Sequence, residues 1–403
     1  MSLPIRLAVI GGRRGASFTS ALAHLADRVE LTAICDLDPA VREQWKTDFP
    51  AIRAFDNYVA LLDSDSCDAV AIATPMPLHA RHAITALEAG KHVLSEVAAH
   101  MTMEEGWQLI ETVERTGLTY MMAENVCYFR DAMMVKEMVA RNTFGTLTAI
   151  DCGYIHDCRN LMFTPEGALT WRGEMLRDNN GSLYPTHSLG PVAQWLEAAN
   201  PHDRFTSLVS YATEPRLLRE FAAYHFGAEH PAAQPGYFKC GDSVLTILQT
   251  ASGVLVTLRV DMVSPRPYNN VAFVLQGTRG AFHCGRHPQD GPVVWLEATP
   301  PTLPGEWHVD HWQSLWDYAE EYEHPHWRQW KAQADSAGHS GGDFFTLIDF
   351  IDAIHHGTRP PIDIYDAVAW SSIIPLSGQS LAAGGRMVEI PDFRAKQRAA
   401  KPK

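Results

Sequence analysis

The sequence lacks an excess of basic residues, a paired-cysteine motif and a long hydrophobic run. Its 47 acidic and 33 basic residues give a formal charge of −14, which argues against a nucleic-acid partner because phosphate binding needs a basic surface. The seven cysteines are odd in number and form no CxxC motif, as expected of a reduced, cytoplasmic protein. No apolar run reaches the roughly 18 residues of a membrane span. A predicted strand starts almost at the first residue, which leaves no room for a signal peptide.

The chain of 403 residues shows two different sequence patterns. In residues 1–125, short apolar runs alternate with helical patterns, as in parallel strands that are buried on both faces. After a predicted helix at 131–141, strand patterns follow one another with only turns between them, as in an open antiparallel sheet. The sequence therefore predicts an α/β plus α+β chain, with a Rossmann-type, doubly wound parallel sheet in residues 1–125 and an open, mainly antiparallel sheet domain in residues 126–403. Helical periodicity returns at 343–356 and 366–383, and these helices are candidates for packing back on the first domain.

A glycine-rich turn follows the first predicted strand and precedes a helix; its glycines are Gly11, Gly12 and Gly15. Such glycines permit a tight turn and the close approach of a pyrophosphate to a helix N-terminus. The spacing is one residue short of G-x-G-x-x-G, but Asp36 closes the second predicted strand about 20 residues later, where a carboxylate accepts hydrogen bonds from a ribose diol and repels a 2′-phosphate. NAD is therefore favoured over NADP, although Arg13 and Arg14 could offset that repulsion. A cofactor-free Rossmann-like domain is the alternative.

The stretch ATPMPLHARHAITALEAGKHVLSEV, at residues 73–97, has the pattern of a strand end, a helix and a second strand. It resembles the glucose–fructose oxidoreductase, inositol dehydrogenase and rhizopine catabolism superfamily (Gfo/Idh/MocA), whose members usually read Glu-Lys-Pro where this chain has Glu96-Val97. That lysine normally helps to bind the substrate and polarise its reacting hydroxyl, so its absence argues against an ordinary sugar dehydrogenase. The resemblance implies a set of cofactor contacts, chiefly to the nicotinamide half: Thr74, Pro75, His79 and Glu96. As an alternative, His79 only starts the following helix.

Motifs in the second half of the chain carry a narrower resemblance. They are AENVCY at 123–128, CGYIHD at 152–157, GSLYPTHSLGP at 181–191, PRPY at 265–268, YEHP at 322–325 and GGDF at 341–344. These motifs are similar to glycoside hydrolase family 109, which also lacks the superfamily lysine, and the likeness covers most of the chain. The family implies NAD-dependent, retaining glycosidases known for α-N-acetylgalactosaminidase activity. The open-sheet domain of the superfamily often pairs with another subunit, so a homo-oligomer through the C-terminal sheet is expected.

The chemistry that this resemblance implies differs from that of the usual two-carboxylate glycosidases. Transient oxidation of the sugar at C3 acidifies the C2 proton, so that a base can remove it and expel the C1 substituent. Water then adds, and the sugar is reduced again without net redox. By resemblance, His187 deprotonates the C3 hydroxyl, Tyr154 takes the C2 proton, and Glu124 binds a hydroxyl or relays the leaving-group proton. Further substrate contacts are expected from three residues: Tyr184, Tyr268 and Asp343.

Each of these assignments has a plainer alternative. His187 could cap a helix, and the aspartate that superfamily dehydrogenases commonly have four residues earlier is Leu183 here. Tyr154 could serve packing alone, since a phenol titrates near pH 10 and needs a nearby cation or histidine to act as a base. Asp343 follows two glycines and could be a helix N-cap.

Three other functions remain open at this point. The chain could be a sugar or cyclitol dehydrogenase that releases NADH, an enzyme that stops at elimination or at the 3-keto sugar, or a non-enzymatic NAD-binding protein. A metal site is not expected. His156-Asp157 and the Glu-His-Pro-His run at 323–326 offer ligand atoms, but no HExxH motif or spaced Cys/His set accompanies them.

Overall fold

The computed structural model describes residues 3–267, 271–287, 289–297, 304–305 and 311–400. The strands are β1 (Ile5–Ile10), β2 (Val29–Cys35), β3 (Arg53–Phe55), β4 (Ala69–Ile72), β5 (His92–Ser95), β6 (Tyr120–Met122), β7 (Leu147–Ile155), β8 (Phe205–Ala212), β9 (Val244–Thr250), β10 (Leu255–Asp261), β11 (Val271–Gly277), β12 (Gly280–His283), β13 (Val293–Leu296), β14 (Gln313–Ser314) and β15 (Val388–Glu389). The helices are α1 (Gly12–Gly15), α2 (Thr19–Leu22), α3 (Pro39–Asp48), α4 (Tyr58–Asp63), α5 (His79–Glu88), α6 (Met103–Thr116), α7 (Arg130–Ala140), α8 (Trp171–Asp178), α9 (Thr186–Ala199), α10 (Leu217–Phe226), α11 (Ala319–Tyr322), α12 (Pro325–Ser336), α13 (Gly342–His356), α14 (Ile364–Ser371), α15 (Ile373–Ala382) and α16 (Ala395–Ala400). Within the described ranges, no helix is long and apolar enough to cross a membrane.

The chain forms two compact units. The first unit combines Met1–Phe129 with Pro325–Ser372 and Phe393–Lys403, and the second combines Arg130–His324 with Ile373–Asp392. The first unit thus contains α12, α13, α14 and α16 in addition to the N-terminal part of the chain. The boundary at residues 125–126 stays a prediction.

The first unit is built on a parallel sheet with strand order β3-β2-β1-β4-β5-β6. All four residues of β4 are buried, as expected of a strand covered on both faces. The predicted doubly wound sheet is confirmed. Ile10 pairs with Cys35 and Ile72, Ile72 with Ser95, and Ser95 with Met122. Cys35 also pairs with Phe55, the last residue of β3. All six strands therefore end at the same level, so the residues that follow them share one edge, where such sheets bind ligands.

The helical periodicity at 366–383 corresponds to two successive helices, α14 and α15. Pro375 lies in the first turn of α15. In an uninterrupted helix its ring would clash with the carbonyl group of Ser371, four residues earlier, and α14 ends at Ser371. The hydroxyl of Ser372 also donates to the Val368 carbonyl oxygen at 2.7 Å, a bond that favours a bend.

The second unit is built on a sheet with strand order β14-β13-β12-β11-β7-β10-β9-β8-β15. Its neighbouring strands are antiparallel except for β7 and β10, which are parallel. The predicted open, mainly antiparallel sheet is confirmed. Trp195 of α9 is buried, its ring centroid lies 5.3 Å from that of Phe273 on β11, and its indole N–H donates to the Ala132 carbonyl oxygen of α7. This packing fixes α9, and with it the segment around His187, within the second unit.

Candidate active site

The glycine turn after β1 is packed too closely for any other residue type. Gly11 has φ +90°, and a Cβ atom on it would lie 2.5 Å from the Ala73 carbonyl oxygen at the end of β4. A Cβ atom on Gly15 would lie 2.3 Å from a methyl group of Val9. The turn therefore packs closely against the ends of β1 and β4. Because its glycines have no side chains, its backbone can come close to a pyrophosphate. These features fit a dinucleotide.

Asp36 follows β2 and is tied to the same turn. Its Oδ2 atom accepts a hydrogen bond from the Gly12 N–H at 2.7 Å, and its Oδ1 atom accepts one from the Asp38 N–H at 2.9 Å. The carboxylate is only half-buried, so each oxygen keeps a lone pair for a ribose hydroxyl. Arg13, which could have offset the charge of Asp36, is paired with Asp38 at 2.6 Å.

Arg14 lies in a cluster of acidic and polar side chains. Its Nη1 and Nη2 atoms lie 3.0 and 2.9 Å from the two carboxylate oxygens of Asp343, and Nη2 lies 2.5 Å from Oε1 of Glu96. Asp343 also accepts from Asn125 Nδ2 at 2.9 Å and lies 2.8 Å from His339 Nδ1. Burial alone would raise the pKa of Asp343, but the hydrogen bonds from His339 and Arg14 hold it well below its ordinary value. Two carboxylates thus match the charge of Arg14, which supports the preference for NAD.

Asp343 is not a helix N-cap. The N-cap of α13 is Gly341, which has φ +83° and no side-chain cap. The Asp343 side chain instead links α13 to the glycine turn within the first unit. A contact of Asp343 with the sugar stays a prediction.

Thr74, Pro75 and His79 follow β4 on the shared edge of the sheet. His79 is the first residue of α5, and its ring nitrogens lie 2.7 Å from the Thr74 carbonyl oxygen and 2.9 Å from that of Ala98. Burial lowers the pKa of His79. The ring therefore holds together the segments that follow β4 and β5. Contacts of His79, Thr74 and Pro75 with the cofactor stay a prediction.

Glu124 follows β6 on the same edge and is fully buried. Its Oε1 atom accepts a hydrogen bond from the Val126 N–H at 3.2 Å and so caps the 3-10 turn Asn125–Tyr128. The carboxylate is fixed in orientation by this bond. Its predicted role in proton relay stays a prediction.

Four aromatic rings meet in the second unit. The ring centroid of Tyr154 lies 5.0 Å from that of Tyr184, 5.4 Å from that of His187 and 5.8 Å from that of His156. The centroids of Tyr184 and His187 are 5.0 Å apart. Two predicted catalytic residues and one predicted substrate contact thus come together; we call these four rings the ring cluster.

The local structure explains why these side chains meet. Tyr154 lies near the end of β7, and His156, two residues later, projects to the same side. His187 is the second residue of α9, whose N-cap is Pro185, so His187 is not a cap. Leu183 is buried and cannot supply the carboxylate found in superfamily dehydrogenases. Aromatic rings flank this imidazole instead.

The surroundings of Tyr154 are weakly charged. Its hydroxyl lies 4.0 Å from Cys158 Sγ. Burial raises the pKa of the Cys158 thiol to about 11, while the hydrogen bond with Tyr154 and the charge of Arg172 act in the opposite direction. Burial also lowers the pKa of His156. At neutral pH both groups are therefore uncharged, and the charge that acts on the Cys158 thiol beside Tyr154 is that of Arg172.

Sequence reasoning missed two residues of this surrounding. It considered His156 only as a metal ligand, although its spacing from Tyr154 on a strand was a usable signal. Arg172 carried no such signal, because its position relative to Cys158 depends on the fold.

Tyr268 lies outside the described residues. In the part of the chain that the structure describes, no group of three or more His, Cys, Asp or Glu residues could hold a metal ion.

Comparisons with known proteins match both parts of the chain. Residues 5–124 match the model of the oxidoreductase family with an NAD-binding Rossmann fold, and residues 128–399 match that of the glycosyl hydrolase 109 C-terminal domain. The chain is 37% identical to a glycosyl hydrolase family 109 protein of Stenotrophomonas maltophilia (strain K279a), over 97% of this chain and 89% of that protein. It is 35% identical to an alpha-N-acetylgalactosaminidase of Tannerella forsythia, over 90% of this chain and 81% of that protein.

The chain belongs to glycosyl hydrolase family 109. It is therefore an NAD-dependent glycoside hydrolase, as the sequence predicted. Among solved structures, levoglucosan dehydrogenase in complex with NADH and L-sorbose is similar, with a TM-score of 0.76, 20% identity and coverage of 97% of this chain and 100% of that chain. An inositol dehydrogenase homolog from Azotobacter vinelandii gives a TM-score of 0.70 at 19% identity, covering 96% of this chain and 98% of that chain. These likenesses show the fold.

Asp36 should determine which dinucleotide this family 109 enzyme binds. We expect Asp36→Asn to weaken NAD binding about tenfold, because a charge-assisted hydrogen bond to the ribose becomes a neutral one. The matched control is Asp38→Asn, which removes the partner of Arg13 but keeps a good N-cap for α3. Dissociation constants of NAD and NADP, measured by calorimetry on cofactor-free protein, check this. Tighter binding of NADP than NAD by the unmodified enzyme would contradict the role of Asp36.

Proposed function

We propose that this enzyme hydrolyses α-N-acetylgalactosaminides with retention of configuration, by transient oxidation at C3 and elimination across C1–C2. The name of the Tannerella forsythia relative supports the substrate class. The observation that carries the mechanism is the ring cluster, in which Tyr154 and His187, from β7 and α9, have ring centroids 5.4 Å apart. Such a pair supplies two bases close enough to serve adjacent carbons of one sugar ring.

The first unit supplies the residues that would hold NAD. The glycine turn offers its backbone to the pyrophosphate, and Asp36 offers its carboxylate to the ribose diol. Thr74 and Pro75, which follow β4, would contact the nicotinamide half. When bound, NAD accepts the C3 hydride of the sugar and later returns it, so that the overall reaction is hydrolysis without net redox.

The residues of the chain then have separate proton-transfer roles. His187 takes the proton of the C3 hydroxyl, and Tyr154 takes the C2 proton once a ketone at C3 has acidified it. Loss of the C1 substituent then forms the C1–C2 double bond, and Glu124 provides the leaving group with a proton. Water then adds its hydroxyl group at C1 and gives its proton to Glu124. Tyr154 returns a proton to C2, and His187 returns one to the C3 oxygen when the ketone is reduced. Each well-placed acid or base contributes about 10²–10⁴-fold to the rate.

A sugar dehydrogenase that releases NADH is the weaker candidate. Val97 occupies the position where Gfo/Idh/MocA dehydrogenases usually have the lysine that polarises the reacting hydroxyl. The neighbouring carboxylate, Glu96, forms an ion pair with Arg14 within the first unit. For the same family 109 enzyme we also propose a cytoplasmic location, supported by seven cysteines that are all buried and form no disulfide. We further propose a homo-oligomer formed through the second sheet, whose strands expose Tyr211, Leu245 and Leu255.

Hydrolysis in D₂O tests the mechanism. The NAD-loaded enzyme should release nitrophenol from 4-nitrophenyl α-N-acetylgalactosaminide and leave deuterium on C2 of the sugar, because the C2 proton is exchanged during elimination. NMR detects the label, and the anomer formed first should be α. Free N-acetylgalactosamine and heat-inactivated enzyme are the controls. Nitrophenol release with no label at C2 would rule out elimination, and stoichiometric accumulation of NADH without nitrophenol would favour the dehydrogenase.

A further inference from the structure

A cavity of about 280 Å³ adjoins the ring cluster in the second unit. Its lining residues come from the segment after β7, from α10 and from the segment after β10: His156, Asp157, Arg159, Asn160, Phe221 and Arg266. Five of the six carry polar or charged side chains. A cavity of this composition suits a polar ligand group rather than an apolar one.

Most of the charge in this cavity is already matched. Arg159 makes a bidentate pair with Asp157, with Nε–Oδ1 and Nη2–Oδ2 distances of 2.9 Å. The guanidinium of Arg159 also lies over the Phe221 ring, 5.5 Å from its centroid. Burial keeps the pKa of His156 below its ordinary value, so this ring is neutral at pH 7. These groups together contribute no net charge.

Arg266 is the exception. It is exposed, and its guanidinium has no carboxylate or hydrogen-bond partner among the described residues. The cavity therefore carries one unmatched positive charge on a planar group with several N–H donors. Guanidinium groups bind carboxylates through two parallel hydrogen bonds.

The position of the cavity relative to Tyr154 indicates which part of the substrate enters it. His156 lines the cavity and stacks on Tyr154, with ring planes inclined by 21°. Tyr154 adjoins both His187 and His156. If Tyr154 acts at C2 and His187 at C3, we assign the other ring neighbour of C2, C1 with the group bonded to it, to the side of His156. The acetamido group on C2 is a poorer occupant, because it is neutral and ends in a methyl group, for which Phe221 alone offers an apolar wall.

We propose that this cavity is the leaving-group subsite and that it selects glycosides whose aglycone carries a carboxylate, bound by Arg266. This inference rests on the proposed function, since it takes Tyr154 as the base at C2. It assigns a substrate class to the enzyme beyond the sugar itself.

Equilibrium binding tests the subsite without relying on turnover. The probes are 4-hydroxybenzoate and its neutral analogue 4-hydroxybenzamide, titrated into NAD-loaded protein by calorimetry or ligand-observed NMR. We expect the carboxylate to bind about fivefold more tightly than the amide, the effect of one exposed ion pair. Arg266→Gln should abolish this difference, whereas Arg386→Gln, which removes an exposed arginine of the second unit outside the cavity, should preserve it. Equal binding of both probes, or a preference that survives Arg266→Gln, would overturn the proposal.

A kinetic comparison separates the subsite from the proposed function. The α-N-acetylgalactosaminides of the same two phenols should both be cleaved, with a higher kcat/KM for the carboxylate and loss of that advantage only in Arg266→Gln. Failure of the unmodified enzyme to cleave either glycoside refutes the proposed function and the leaving-group assignment together. Cleavage of both at equal kcat/KM overturns the carboxylate preference and leaves the proposed function intact.

Discussion

Replacement of His187 by alanine should lower kcat/KM for glycoside cleavage by about 10²–10⁴-fold, the usual contribution of a general base. Without the imidazole the C3 hydroxyl keeps its proton, so oxidation cannot start and nothing that depends on the C3 ketone can follow. We therefore expect neither nitrophenol release nor an increase in NADH absorbance when the substrate is added to the NAD-loaded variant. Stopped-flow absorbance at the wavelengths of both products measures this.

The control for His187→Ala is Tyr184→Phe. The Tyr184 ring packs against the imidazole with an interplanar angle of 73°, and phenylalanine keeps that ring while removing only its hydroxyl. Tyr184→Phe should therefore retain reduction of bound NAD. Both variants should keep the thermal midpoint and NAD content of the unmodified enzyme. Cleavage by a folded His187→Ala protein at the normal rate would show that another group takes the C3 proton.

The sequence was most informative about the first unit. Its strands are buried on both faces, so they appear in the sequence as continuous apolar runs, and the sequence alone places Asp36 and Glu96 at strand ends. Their neighbours could not be predicted. The partners of Arg14 include Asp343, 329 residues away along the chain, and neither residue carries a local signal for the other. Only the packing of α13 in the first unit brings them together.

The second unit shows a different limit. Family motifs identified Tyr154 and His187, but a motif does not show that their rings touch or that Leu183 leaves the imidazole flanked by aromatic rings. The sequence also does not predict the parallel pairing of β7 and β10. An alternating hydrophobic pattern predicts a strand, but it does not indicate which strand lies beside it. The proximity of His156 to Tyr154 could have been predicted, because residues two apart on a strand share a face. Arg172 and the cavity beside His156 required the fold.

Replacement of Tyr154 by phenylalanine should separate oxidation from elimination. The variant keeps the ring that packs between Tyr184 and His187, with centroid distances of 5.0 and 5.4 Å, and loses only the hydroxyl beside Cys158. His187 can still deprotonate the C3 hydroxyl, so bound NAD should be reduced on addition of substrate. Release of the aglycone should slow by about 10²–10⁴-fold, because no base takes the C2 proton. Exchange of deuterium into C2 should slow by the same factor.

Cys158→Ala is the matched control for the loss of that hydroxyl. The thiol lies 4.0 Å from the phenol oxygen and, with a pKa near 11, stays protonated at neutral pH. It can therefore donate a weak hydrogen bond to the Tyr154 phenolate, and its removal should cost only a few-fold in aglycone release, as expected for a weak neutral donor. The assignment of Tyr154 requires this ranking, with a large loss for Tyr154→Phe and a small one for Cys158→Ala. A folded Tyr154→Phe protein that fails to reduce bound NAD, or that releases the aglycone at the normal rate, would show that Tyr154 does not act at C2.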